Sequence, residues 1–171
     1  MFRDGPLTRR APETIRYGTG RCALGALLAA SSEKGIVSIM VRDTRARLIR
    51  DLGARFPKAN LVRDEKGSKA TVAKVGRYIA APFRPFRLPL DVRGTDLQQR
   101  VWREVRKIPF GETSTYSKIG APKAIRAVAQ SCSRSWFAFA VPCHRVLHTG
   151  ANRREGRQYE WVDYEANLAR K

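Results

Sequence analysis

The sequence predicts an α/β protein: a small N-terminal lobe with an antiparallel sheet and a flanking helix, then a mainly helical C-terminal lobe with a helix-turn-helix. Three observations lead to this prediction. β-type sequence fills residues 14–41, helical apolar spacing dominates after residue 95, and a proline-rich stretch at 82–89 separates the two parts. With 171 residues, 43% of them hydrophobic, the chain can bury a core.

The N-terminal lobe is expected to span residues 13–85. It follows an arginine-rich leader at residues 1–12, which we expect to be disordered. Its β-type segments come first, and Glu33, Lys34 and Gly35 form a turn of the kind that joins antiparallel strands.

A helix should follow the strands, because Leu48, Leu52 and Phe56 recur at helical spacing. Residues 57–69 are polar and are predicted to form a loop. Residues 72–79 carry apolar side chains at helical spacing again, so we expect a short helix there that ends at the prolines beyond it.

The C-terminal lobe, residues 86–171, is expected to begin with a well-defined helix. Thr95 and Gln98 have the spacing of a capping box, and apolar residues recur after them until the helix should end at Pro109.

Two short helices, at residues 116–119 and 122–132, are joined by Gly120 and Ala121 and have the outline of a helix-turn-helix. Helical hairpins in ordinary cores have the same outline. The apolar run at residues 137–141 is predicted to be a buried strand.

Charge is the most unusual property of the composition. The net charge is +19, and the basic residues are spread over both lobes rather than gathered in one tail. Such an excess favours a polyanionic partner, since each phosphate that a basic residue neutralises releases counterions. We therefore expect nucleic acid as the partner, although many basic proteins carry charge for solubility.

The sequence argues against several classes of protein. It has no apolar stretch of membrane-spanning length and no secretory signal, so we expect no membrane partner and an intracellular, cytoplasmic location. Three cysteines and two histidines form neither a disulfide framework nor a zinc-binding pattern. We expect a monomer that needs no metal and no cofactor.

The residues Cys143, His144 and Arg145 carry the clearest chemistry. A cysteine just beyond a strand end should lie at a rim, where His144 can take the thiol proton and Arg145 adds positive potential. The alternative is a buried cysteine that acts as a small hydrophobic residue, which is the usual role of an intracellular cysteine.

Four motifs, in order, resemble the O6-alkylguanine-DNA alkyltransferase family. Residues 13–56 also resemble the N-terminal lobe of the version fused to the bacterial adaptive-response regulator. The four motifs are PCHRV at 142–146, RGT followed by LQQRVW at 93–102, IPFGET with Tyr116 at 108–116, and PKAIRAV at 122–128.

The resemblance implies a mechanism and a set of roles. Cys143 would accept the alkyl group from guanine O6 in one irreversible turnover, and His144 would relay its proton through a water. Tyr116 would help to expel the base, and Arg126 would fill the space that the base leaves in the duplex. The carbonyls of Cys143 and Val146 would bind the exocyclic amine of the guanine. The partner would be double-stranded DNA containing O6-alkylguanine.

Other residues join the site through their positions in the motifs. Lys123, Ala127 and Arg145 would lie near the DNA. Ser135 replaces an asparagine that orders the active-site turn in the family. The family's closing helix supplies a glutamate that orients the histidine, and Glu165 is the nearest substitute here.

The chain also departs from the family pattern. The first helix of the helix-turn-helix is about one turn shorter, and the glycine-rich pattern after Gly150 is missing. Two other functions therefore stay open: a lesion-binding sensor that does not react, and a general basic DNA-binding domain with an inert cysteine.

Overall fold

The computed structural model describes residues 12–120, 122–148 and 157–170, so residues 1–11 of the predicted leader lie outside the described residues. Two short 3-10 helices, Pro122–Ala124 and Cys143–Arg145, accompany the main elements. In chain order, those elements are β1 (Thr14–Cys22), β2 (Gly25–Ser32), β3 (Gly35–Arg42), α1 (Arg45–Arg55), β4 (Asn60–Arg63), α2 (Glu65–Ala80), α3 (Asp96–Val105), β5 (Ser114–Thr115), α4 (Tyr116–Ile119), α5 (Ile125–Ser133), β6 (Val146–Leu147) and α6 (Arg157–Ala169).

A four-stranded sheet in the order β3-β2-β1-β4 forms the N-terminal part. β1, β2 and β3 are antiparallel, as predicted, and β4 lies parallel to β1. α1 covers one face with the buried side chains of Leu48 and Leu52, and α2 covers the other with Val75 and Ile79. The alternation of side chains along each strand supplies both faces.

The predicted loop at residues 57–69 is wrong, because β4 and the start of α2 lie within it. α2 is 16 residues long and is capped by Asp64, whose side chain accepts a hydrogen bond from the backbone N–H three residues on, at 2.8 Å. Glu65 accepts a hydrogen bond from the N–H of Thr19 at 3.1 Å. These contacts are polar, so apolar periodicity does not reveal them.

One hydrophobic cluster joins the sheet to the C-terminal part. Ile39 and Val41 of β3 belong to the same cluster as Trp102 and Phe139. The backbone is joined as well: the N–H of Ile39 donates to the carbonyl of Trp136 at 2.6 Å. The two predicted lobes therefore share a core.

The capping box at the start of α3 is confirmed. The Thr95 hydroxyl accepts from the N–H of Gln98 at 3.3 Å, and the Gln98 side chain accepts from the N–H of Thr95 at 3.0 Å. The helix ends at Val105 rather than at Pro109, and single turns carry the chain on through Ile108.

The two short helices are present as α4 and α5, the second starting as the 3-10 turn Pro122–Ala124. The strand predicted at residues 137–141 is wrong. That segment is a series of turns, in which Phe137 forms one bridge to Ile39 and Phe139 adopts a left-handed φ of 62°. Its side chains are largely buried, and an unbroken apolar run does not distinguish a strand from a buried turn.

None of the helices in the described ranges is both long and apolar enough to cross a membrane.

Candidate active site

Cys143 faces a cavity of about 360 Å³ that lies between β3 and the C-terminal elements. The residue is half-buried and begins a 3-10 turn, where its N–H donates to the carbonyl of Val141 at 2.8 Å. Tyr116, Ser135 and His144 line the same cavity. The structure therefore brings together four of the residues that the sequence singled out.

Glu165 of α6 lies behind His144. Its Oε1 is 3.1 Å from His144 Nε2, without the alignment of a full hydrogen bond. Both side chains are buried. The sequence offers Glu165 only as the nearest acidic residue, and the structure places it within reach of the ring.

Burial is the larger influence on His144 and lowers the pKa of its imidazole, against the opposing effect of Glu165. The ring is therefore neutral and can accept a proton. Burial alone would raise the pKa of Glu165, but its contacts with His144 and Arg145 outweigh that effect and the pKa is lowered. The carboxylate is therefore ionised.

The expected placement of Arg145 near DNA, and as a source of positive potential for the thiol, is wrong. Arg145 is 5% exposed, and its Nε and one terminal nitrogen each donate to Glu165 at 2.8 Å. Its other terminal nitrogen donates to the carbonyl of Ile108 at 2.8 Å. The guanidinium is bound inside the protein by its counter-charge Glu165 and by a carbonyl, since a buried charge requires a partner of opposite sign.

The environment of Cys143 does not favour the thiolate. The neighbouring thiol of Cys132 and burial both raise the pKa of Cys143 well above its usual value, and the Ser135 hydroxyl opposes them in part. This corrects the expectation that His144 and Arg145 lower it. The thiol is protonated at neutral pH, so its reaction must include removal of the proton.

Tyr116 is held by the parallel pair β5 and β6, in which Ser114 pairs with Val146. Tyr116 and His148, the residues that follow these two strands, meet edge to face with ring centroids 4.7 Å apart. Tyr116 is buried to 7% exposure and lines the cavity. Val146 is fully buried in β6.

The exposed side of the helix-turn-helix is basic. Lys123 and Arg126 are exposed, Ala127 is half-buried, and Val128 packs into the core. Other residues of α5 face the cavity, among them Cys132. One short helix thus connects an exposed basic surface to the wall beside Cys143.

Three aromatic residues lie at the site although the sequence analysis did not identify them as site residues. Trp161 of α6 stacks on Phe139 with ring centroids 4.9 Å apart, and it lies edge to face with His144 with ring centroids 5.6 Å apart. Trp136 forms another part of the cavity wall. Trp161 lies in the region where the family pattern is lost, and Trp136 has no motif around it.

The described residues include no group of three or more His, Cys, Asp or Glu side chains placed to hold a metal ion.

Comparison with known proteins supports the resemblance. The family model described as "6-O-methylguanine DNA methyltransferase, DNA binding domain" matches residues 96–168. The bifunctional transcriptional activator/DNA repair enzyme Ada of Escherichia coli is 40% identical over 162 residues, which cover 92% of this chain. This chain spans only 45% of the length of Ada and 42% of the regulatory protein ada of Salmonella typhimurium.

Two further relatives match over most of their length. A probable methylated-DNA–protein-cysteine methyltransferase of Acanthamoeba polyphaga mimivirus is 37% identical over 129 residues, covering 73% of this chain and 82% of that protein. The crystal structure of Mycobacterium tuberculosis OGT in complex with DNA has a TM-score of 0.68 at 29% identity, covering 89% of this chain and 93% of that chain.

The fold and these relatives define a protein of the cysteine-methyltransferase class with a DNA-binding domain. The chain belongs to the O6-alkylguanine-DNA alkyltransferase family, in which several relatives bear the name methylated-DNA–protein-cysteine methyltransferase.

Proposed function

We propose that this chain repairs DNA by moving an alkyl group, such as methyl, from guanine O6 in duplex DNA to its own Cys143, once per molecule. The observation that carries the proposal is the meeting of Cys143, Tyr116 and His144 at one cavity, with Glu165 behind the histidine. Because O6 is inaccessible in a stacked duplex, the guanine must first flip out into that cavity.

In the transfer step, Sγ of Cys143 attacks the alkyl carbon. The S–C bond forms as the C–O6 bond breaks, and the electron pair of the broken bond goes to the guanine. One proton passes from the thiol to His144, whose imidazole is neutral because burial lowers its pKa. Tyr116 donates its hydroxyl proton to the base, so guanine leaves neutral, and the proton that His144 took from the thiol is passed on to restore the tyrosine hydroxyl. The thiol supplies the nucleophile, and no cofactor takes part.

The exposed basic side of the helix-turn-helix is the proposed DNA contact. Lys123 would neutralise a phosphate, and Arg126 would enter the duplex and occupy the place of the flipped base. The half-buried Ala127 next to Arg126 allows the helix to approach the groove closely. A monomer carries the whole arrangement.

The test is the intact mass of the protein after incubation with a duplex that contains one O6-methylguanine. A gain of one methylene, about 14 Da, located on Cys143 by peptide mapping, is the expected result for a single transfer. The duplex should lose its methyl group in equal amount. A methyl group that stays on the DNA contradicts the proposal.

Two cysteine variants make the test specific. Cys143→Ala should abolish the mass gain and keep binding to the duplex. Cys132→Ala changes the other thiol at the same cavity and should still gain the methyl group. Transfer to the Cys143→Ala protein would show that another residue accepts the alkyl group.

A non-reacting lesion sensor is the second candidate, and the raised pKa of Cys143 favours it because a protonated thiol is a weak nucleophile. For a sensor, the duplex with O6-methylguanine is bound more tightly than the undamaged duplex, and no mass gain follows. Equal affinity for both duplexes, without transfer, would instead identify a general DNA-binding domain.

A further inference from the structure

A second cleft, of about 530 Å³, lies beside the proposed acceptor cavity. Its wall includes Arg55 at the end of α1, Arg93 before α3, and Arg134 just after α5. None of the described residues that line it is acidic. Trp136 lines both this cleft and the cavity that contains Cys143, so the two spaces are adjacent.

Arg55 has no partner of opposite charge among the described residues. Its Nε is buried without a hydrogen-bond partner. The guanidinium lies 5.3 Å from the ring centroid of Phe56 and 5.6 Å from that of Trp136, so the aromatic rings hold it in place. Burial, with the nearby charge of Arg93, lowers the pKa of Arg55. An unsatisfied buried donor destabilises the protein, and a bound anion would remove that cost.

The other two arginines differ in availability. Arg93 is bound by Glu13 and Asp91, so its donors are already used. Arg134 is exposed and has no ion pair among the described residues. The N-terminus of α3 contributes little, since Thr95 and its capping box already occupy two N–H groups there. Arg55 and Arg134 are therefore the groups that can bind an anion.

We propose that this cleft binds a backbone phosphate of the DNA strand whose base enters the acceptor cavity, through Arg55 of the N-terminal part and Arg134. The proposal rests on the proposed function, because it takes the strand to lie across the mouth of the Cys143 cavity. A strand carries one phosphate per about 3.4 Å of helix axis, so a neighbouring phosphate falls near the adjacent cleft. Planar guanidinium groups suit phosphate oxygens.

Binding to the lesion-containing duplex over a range of salt concentrations tests the proposal. Arg55→Gln should lower the slope of log affinity against log salt by about 0.9, the value for one lost phosphate contact, and weaken binding about tenfold at low salt. Arg50→Gln is the matched control, because Arg50 lies on the same helix and is 72% exposed. It should change the slope much less.

Replacing single phosphates by neutral methylphosphonates locates the contact. In the wild-type protein, one linkage near the lesion should weaken binding when it is made neutral, and the same linkage should have no further effect with Arg55→Gln. Arg134→Gln repeats the experiment at an exposed residue, so a failure of Arg55→Gln to fold leaves the proposal testable.

The outcomes separate this proposal from the proposed function. Suppose that the wild-type protein transfers the methyl group, and that Arg55→Gln and Arg134→Gln bind the duplex with the same affinity and salt dependence as Arg50→Gln. That result overturns the phosphate contact and leaves the proposed function intact. No binding of the lesion duplex overturns both. Inorganic phosphate is the second probe. It could stabilise the wild-type protein against unfolding but not Arg55→Gln, while no neutralised linkage affects the wild-type protein and Arg55→Gln differently. In that case the cleft binds free phosphate, and the assignment to a DNA phosphate is wrong.

Discussion

Glu165 balances the charges of the buried site. It accepts two hydrogen bonds from Arg145 and lies against His144, and all three side chains are removed from solvent. The arrangement satisfies the arginine and leaves the histidine neutral. Any change at Glu165 therefore affects both the stability of the fold and the proposed proton acceptor, His144.

Glu165→Ala should reduce the free energy of unfolding by about 3–5 kcal/mol, because it leaves the guanidinium of Arg145 buried without a counter-charge. Urea titration followed by circular dichroism measures the change. Glu160→Ala, at an exposed position of the same helix, is the control and should cost less than about 0.5 kcal/mol. Equal losses in the two variants would show that Arg145 does not depend on Glu165.

The reactivity of Cys143 should rise steeply with pH. Its pKa is raised by Cys132 and by burial, so the thiolate fraction is small at pH 7 and increases about tenfold per pH unit until the pKa is reached. The rate of Cys143 carbamidomethylation by iodoacetamide, followed by peptide mapping, measures this. Cys132→Ala removes one cause and should move the profile to lower pH. A rate that is already constant below pH 8 would contradict the raised pKa.

At the scale of residues, the sequence predicts what lies in a local motif. Cys143, His144 and Tyr116 reach one cavity as the motifs imply. The partner of Arg145 lies 20 residues away, on a helix that no motif marks, so its burial is not predictable from neighbours in sequence. The effect of Cys132 on the thiol is missed for the same reason, since the contact arises only when α5 packs beside the turn.

At the scale of elements, α3 shows how strongly a local signal can define a helix. The reciprocal Thr95 and Gln98 contacts satisfy two N–H groups at its start, and Trp102 ties it to α5 by donating from its ring nitrogen to the carbonyl of Ser131 at 2.8 Å. Capping, helix packing and apolar spacing agree here, and the sequence predicts the start of the helix correctly.

Thr95→Ala should reduce the free energy of unfolding by about 1 kcal/mol, the usual cost of losing a side-chain cap. The midpoint of thermal unfolding should fall by roughly 2–4 °C for a chain of this size. Thr95→Ser keeps the hydroxyl and should restore most of the loss. A Thr95→Ser protein as unstable as Thr95→Ala would show that the methyl group, rather than the cap, matters.

β4 and the turns at residues 137–141 show where element prediction from sequence fails. β4 has four residues and only two half-buried apolar side chains, too few for a period to be recognised. The turns are apolar because the core surrounds them, and Phe139 takes a φ that apolar side chains rarely adopt. In both places the tertiary structure, not local preference, determines the conformation.

At the scale of the whole molecule, β3 serves both parts. It completes the sheet, its residues belong to the common core, and its backbone bonds to the segment that leads to Cys143. The cavity wall likewise includes Ile39 and Met40 from this strand. The N-terminal part therefore shapes the acceptor cavity although it supplies none of the groups proposed to take part in the transfer step.

Unfolding in urea should consequently follow one transition for both parts. Helical circular dichroism reports on the whole chain, and tryptophan fluorescence reports on the C-terminal part, because all three tryptophans lie there. We expect coincident midpoints, since a shared core couples the two signals. Two separate midpoints would mean that the lobes fold independently. Phe137→Ala, which weakens the junction, should lower the common midpoint.

α6 reaches both parts at once. Tyr164 donates from its hydroxyl to the carbonyl of Ile79 in α2 at 3.2 Å, and the next residue, Glu165, secures the turn that bears Cys143. A ribosome makes this helix after every element that it braces. During synthesis, Arg145 and His144 therefore lack their partner Glu165 until α6 has left the ribosome and packed against the turn that bears Cys143. Each new molecule therefore gains its proposed proton acceptor only after α6 has been synthesised.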